Sequence, residues 1–72
     1  MIKYVNMKLT INGEGKNIES GKSISGLLTD SHVNSKAVVV EVNLSIINKE
    51  KYDSTNLQDG DVVEIVKFMG GG

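Results

Sequence analysis

The sequence predicts an α+β domain, a mixed sheet of four to five strands packed on one helix, and three features carry that prediction. Val5, Met7, Leu9 and Ile11 alternate with Asn6, Lys8, Thr10 and Asn12, the period-two pattern of a half-buried strand. Ile24, Leu27 and Leu28 recur at i, i+3 and i+4, which marks one face of a helix. Two β-branched stretches, residues 37–43 and 62–68, then return the chain to the sheet.

Each element follows in order. The first strand ends at Asn12-Gly13, a pair that tolerates positive φ and closes a tight hairpin. A short second strand is expected over residues 16–19, anchored by Ile18 and broken by Ser20-Gly21. Ser23 stands at the N-cap of the helix, where a hydroxyl accepts a hydrogen bond from a first-turn amide. Gly26 costs about 1 kcal/mol against alanine inside a helix, so it signals close packing or a weak helix. The helix should fade over residues 30–32. In the run AVVVEVN, Val38, Val40 and Val42 face the core, while Val39 and Glu41 share the outer face. A short extended piece over residues 45–48 comes next, then Tyr52 in a polar connection, with Leu57 reaching back into the core. Asp59-Gly60-Asp61 is a turn before the last strand. That strand turns Val63 and Ile65 inward and Glu64, Val66 and Phe68 outward. The order β-β-α-β-β-β, with its helix on one face of the sheet, is the β-grasp arrangement.

Composition narrows the functions open to such a domain. Its 72 residues bury only about 60% of the extended surface, so the core is thin. There is no cysteine, hence neither a disulfide nor a thiolate metal site nor a thiol nucleophile. Eight lysines and nine acids leave a net charge of -1, and arginine is absent, which argues against a nucleic-acid partner. No apolar run reaches the roughly 18–20 residues of a membrane span and no signal-peptide pattern opens the chain, so the expected location is the cytoplasm. His32 has no serine or carboxylate partner at a defensible spacing and reads as a helix-end residue. Paired carboxylates, a phosphate loop and a metal-ligand cluster are all missing, so the chain reads as neither an enzyme nor a metal binder.

What remains is the end of the chain, IVKFMGGG, an apolar strand running into three glycines. Together with Leu9-Thr10-Ile11-Asn12-Gly13, Val40-Glu41-Val42-Asn43 and the Asp59-Gly60-Asp61 turn, this ending resembles the ubiquitin-like β-grasp sulfur carriers of thiamine biosynthesis, the ThiS group, over nearly the whole length. The resemblance divides the chain into a carrier domain, residues 1–69, and a flexible C-terminal tail, residues 70–72. Leu44 stands where family members commonly carry glycine, and residues 1–6 read as an added strand segment or an upstream start.

The resemblance implies that the α-carboxylate of Gly72 is the sulfur-carrying group, and that Gly70 and Gly71 thread into partner sites. A carboxylate is a poor electrophile, but adenylation with ATP gives it AMP as a leaving group, and a persulfide sulfur can then replace AMP to yield a thiocarboxylate. The implied partners are a ThiF-like adenylyltransferase, which uses the ATP, a ThiG-like thiazole synthase, and a sulfur donor such as a cysteine desulfurase. The carrier itself holds no cofactor. Val39, Val66, Phe68 and Met69, apolar and outward beside the tail, form the expected docking patch, with Lys36 and Lys67 on its flanks. Two alternatives stay open. The chain could instead be a molybdopterin-synthase small subunit or a ubiquitin-like protein modifier, or a non-catalytic β-grasp interaction module with an inert tail.

Overall fold

A computed structural model describes residues 5–68. Five strands and one helix follow each other as β1 (Asn6–Ile11), β2 (Glu14–Glu19), α1 (Ile24–Asp30), β3 (Val38–Val42), β4 (Ser45–Ile46) and β5 (Val62–Lys67). The sheet order is β2-β1-β5-β3-β4. β1 and β5 are parallel, and every other pair is antiparallel. The fold is the expected mixed-sheet β-grasp, with α1 packed on one face.

Hydrophobic burial organises it. Met7 and Leu9 of β1, Ile24, Leu27 and Leu28 of α1, Val38 and Val40 of β3 and Val63 of β5 make one core, closed by Leu57 and Tyr52. Ile11, Ile18, Val42 and Ile65 are half-buried against it, as the alternation requires. Val5 departs from the pattern: it precedes the first paired residue and is 64% exposed. The second strand starts earlier than expected, at Glu14, because the two-residue turn pairs Ile11 directly with Glu14.

The helix follows its local signals. The Ser23 hydroxyl accepts a hydrogen bond from the Gly26 amide at 3.0 Å. A Cβ at Gly26 would lie 2.7 Å from the Cδ of the Lys22 side chain, which crosses the first turn of the helix there. Lys22 also bonds Asp30 at 2.7 Å, and that hydrogen bond and the charge beside it raise the lysine pKa. At the other end His32 takes a positive φ of 58°, while its N–H donates to the Thr29 carbonyl and the Val33 N–H to the Leu28 carbonyl. These two bonds form a Schellman-type stop, with half-buried Val33 docking on the core after it.

Tyr52 lies in the polar connection that the sequence predicts, yet its side chain belongs to the core. It is 3% exposed, and its hydroxyl accepts a hydrogen bond from the Val40 N–H at 3.2 Å. The Ile47 N–H donates to the Val40 carbonyl at 3.0 Å. Strand β4 is only two residues long, so these two groups satisfy the edge of β3 that β4 leaves uncovered. The expected extended piece over residues 45–48 therefore splits into β4 and the approach to a 3-10 turn, Lys49–Lys51.

Both hairpins use two-residue turns with positive φ at each central residue. Asn12 and Gly13 take 49° and 85°, and Asn43 and Leu44 take 51° and 72°. This primed geometry matches the twist of the flanking strands. Each turn asparagine also bonds β5. The Asn12 Oδ1 accepts from the Ile65 N–H at 2.8 Å, and its Nδ2 donates to the Ile65 carbonyl at 3.3 Å. The Asn43 Oδ1 accepts from the Val62 N–H at 2.9 Å, and its Nδ2 donates to the Asp61 carboxylate at 3.0 Å.

Two outcomes follow from these turns. Leu44 is 89% exposed, so Leu44→Gly removes left-handed strain without losing packing. It should raise stability by about 0.5–1 kcal/mol after the greater freedom of unfolded glycine is subtracted, a few degrees in Tm by calorimetry. Asn12→Gly keeps the turn and deletes the carboxamide. It should cost about 1–2 kcal/mol in urea unfolding and speed hydrogen exchange at the Ile65 amide. Unchanged exchange at Ile65 would refute the bracing role of Asn12.

Candidate functional site

Strand β5 leads toward the end of the chain, and its support changes along its length. Parallel pairing with β1 covers Val62 and Val63, opposite Thr10 and Ile11. There β1 turns away, and the Asn12 carboxamide replaces it for one more rung at Ile65. Antiparallel pairing with β3 continues further, from Val63 opposite Val42 to Lys67 opposite Val38. The Phe68 N–H then donates to the Ala37 carbonyl at 2.9 Å, one step beyond the strand. Val66 and Lys67 are thus paired with β3 alone, at the end of a strand braced at its start from both sides.

The sheet face opposite α1 carries the expected patch. Val39 and Val66 are direct cross-strand partners on that face. Val66 is 54% exposed and Phe68 53%, whereas Val39 is half-buried. Lys36 and Lys67 are both exposed, but Lys67 stands opposite core-facing Val38, so alternation turns it to the α1 side of the sheet and away from the patch it was expected to flank. Met69, Gly70, Gly71 and Gly72 lie outside the described residues, so the patch is described only through Phe68.

Three features of this face escaped the sequence reading. Ile46, from the edge strand β4, stands opposite Glu41 and so adds an exposed apolar group to the same face. Glu41 and Glu64 face each other across β3 and β5, two register steps from the Val39–Val66 pair and on the same face. Like charges directly opposite destabilise a sheet slightly, and neither carboxylate has an ion-pair partner among the described residues. The third feature is Lys49, whose Nζ lies 5.0 Å from the centre of the Phe68 ring and donates to the Lys36 carbonyl at 2.9 Å. Alternation pointed to the Glu41–Glu64 pair once the strand register was known. No local signal marked Lys49, which lies 19 positions before Phe68 in sequence.

Among the described residues no group of three or more His, Cys, Asp or Glu side chains could hold a metal ion. No described helix is long and apolar enough to cross a membrane. His32 sits at the helix end, exposed, with no hydrogen bond from its ring among the described residues.

Comparison with known proteins agrees with this geometry. Residues 7–72 match the model of the ThiS family, a span that includes β5 and the glycines after it. The chain is 44% identical over 61 residues to the sulfur carrier protein ThiS of Bacillus subtilis, covering 81% of this chain and 92% of that one. It is 46% identical over 66 residues to a thiazole synthase of Paramagnetospirillum magneticum, covering 92% of this chain but only 20% of that protein. A second thiazole synthase, from Magnetococcus marinus, is likewise matched over 20% of its length, at 38% identity. The chain therefore spans about a fifth of the thiazole synthases it matches. Among solved structures, the thiamine biosynthesis protein ThiS of Geobacter metallireducens superposes with a TM-score of 0.78 at 36% identity, covering 92% of this chain and all of that one. A family match over most of the chain, with relatives and a solved structure that agree with it, shows that the chain belongs to the ThiS family.

Proposed function

We propose that the chain is a sulfur carrier of thiamine biosynthesis whose reactive group is the α-carboxylate of Gly72. The observation that carries this reading is that the family match runs through residue 72, directly beyond a strand the fold braces on both flanks. The thiazole synthases that contain a matching segment support thiazole formation, in preference to molybdopterin synthesis or protein modification, as the destination of the sulfur.

The chemistry on this reading proceeds in three steps. In a ThiF-like adenylyltransferase, a Gly72 carboxylate oxygen attacks the α-phosphorus of ATP, and pyrophosphate leaves. The terminal sulfur of a persulfide, supplied by a cysteine desulfurase or a similar donor, then bonds the acyl carbon and expels AMP. A thiol cleaves the resulting S–S bond by forming a disulfide with its far sulfur, which leaves a thiocarboxylate on Gly72. That anion is the nucleophile given to a ThiG-like thiazole synthase. Dividing the transfer in this way replaces one high barrier by several lower ones. The carrier supplies no catalytic side chain and binds no cofactor of its own. Its site of action is the cytoplasm, where ATP and reduced thiols are maintained.

The physical demand on the carrier is docking. Gly70, Gly71 and Gly72 have no side chains to obstruct a narrow channel, but each residue fixed there costs about 1–2 kcal/mol of backbone entropy. Contact through Val39, Val66, Phe68 and Met69 offsets that cost, since a buried valine contributes about 1.5 kcal/mol or more.

Incubating the protein with ATP, the adenylyltransferase and a persulfide donor should add the mass of one oxygen-to-sulfur exchange, seen by intact-mass spectrometry. Deleting Gly72 should abolish the shift, and its persistence would sink the mechanism. Val66→Asp should raise the KM for adenylation by about tenfold or more while leaving the unfolding midpoint close to wild type. An unchanged KM would remove Val66 from the docking patch.

A further inference from the structure

Phe68 is the last described residue before the glycines, and two independent contacts hold it. Its N–H donates to the Ala37 carbonyl at 2.9 Å. Its ring lies beneath the Lys49 ammonium, 5.0 Å from nitrogen to ring centre and within the range in which a cation is attracted to the face of an aromatic ring. The ammonium is itself fixed, because it donates to the Lys36 carbonyl at 2.9 Å. Both contacts therefore converge on the Lys36-Ala37 segment.

Each side of this clasp is tied into the fold. Lys36 and Ala37 belong to a short 3-10 turn, where the Asn34 side chain accepts from the Lys36 N–H at 2.9 Å and the Asn34 carbonyl from the Ala37 N–H at 2.9 Å. Lys49 begins the turn that ends at Tyr52, and the Tyr52 N–H donates to the Lys49 carbonyl at 3.1 Å. Tyr52 is buried and bonded to β3 through Val40. The path from the core to the base of the tail is thus Tyr52, Lys49, Phe68. One ring face is covered by the ammonium, yet Phe68 keeps 53% of its surface for a partner.

We propose that Lys49 is a positioning residue of the carrier: its ammonium bridges the Phe68 ring and the Lys36 carbonyl, and so orients Phe68 for docking. The proposal rests on the sulfur-carrier reading for its functional consequence, but the clasp itself is a property of the free protein. A lysine here does what a buried anchor cannot, since it orients the ring without removing it from solvent. Pre-ordering a docking side chain lowers the entropy lost on binding, so the effect falls on association and not on the chemical step.

The test compares wild type with Lys49→Ala and Lys49→Arg. An arginine keeps the cation over the ring and the donor to Lys36. In the free protein, the heteronuclear NOE of the Phe68 amide should fall in Lys49→Ala, recover in Lys49→Arg, and stay constant at Val63 in both. In carrier-dependent ATP–pyrophosphate exchange by the adenylyltransferase, Lys49→Ala should raise the KM for the carrier about two- to five-fold with kcat unchanged, and Lys49→Arg should restore it. Wild-type values of NOE and KM in Lys49→Ala would overturn the proposal. So would a loss of order that spreads to Val63, which would make Lys49 a general stabiliser. If wild type supports no exchange, the sulfur-carrier reading fails instead, and the Phe68 NOE alone decides whether the clasp exists.

Discussion

The structure depends on how strand β5 is held by side chains that do not belong to its neighbours' ladders. Strand β1 leaves β5 after Ile11, and strand β3 leaves it at the other end after Val42. At each departure an asparagine sits in the left-handed region, and its carboxamide bonds the backbone of β5. Asparagine is the side chain suited to both demands: it tolerates positive φ, and its amide reproduces the donor and acceptor of a peptide group. The two hairpin turns therefore serve the strand between them as well as the strands they connect.

That arrangement fits a small domain with a thin core. Ten buried apolar side chains close the interior, and no disulfide or metal adds to them among the described residues. Strand β5 needs order up to the point where it releases the chain, and β1 is too short to accompany it there. Polar bracing at Asn12, the β3 ladder, and the contact of Lys49 on Phe68 extend the order of the core stepwise along β5. The open sheet face beside this strand combines apolar groups, Val39, Ile46, Val66 and Phe68, with the opposed carboxylates of Glu41 and Glu64.

Much of this was legible in the sequence because it is local. Alternation assigned the faces of β1, β3 and β5, and so placed Val39 and Val66 on one side of the sheet before their pairing was known. Ser23 and the Ile24, Leu27, Leu28 spacing located the helix, and Asn12-Gly13 located the first hairpin. The failures share a physical cause: the deciding interactions join residues far apart in the chain. Tyr52 sits among Lys49, Glu50, Lys51 and Asp53, and its burial depends on the core and on the Val40 N–H, 12 residues earlier, which the short β4 leaves free. The second hairpin carries leucine at a left-handed position, against its intrinsic preference, so propensity gave no turn signal at Asn43-Leu44. The Asn12 bonds to Ile65 span 53 residues, and no pattern in either segment announces them.

On the proposed function, the fold presents the Gly72 carboxylate for conversion to a thiocarboxylate. The most direct measurement is fragment mass spectrometry of the protein isolated from its own cells during thiamine limitation. The account predicts a population in which one oxygen is replaced by sulfur, with the replacement confined to fragments that contain Gly72. Sulfur located on any other residue, or a C-terminal carboxylate that stays unmodified while the cells make thiazole, would contradict it.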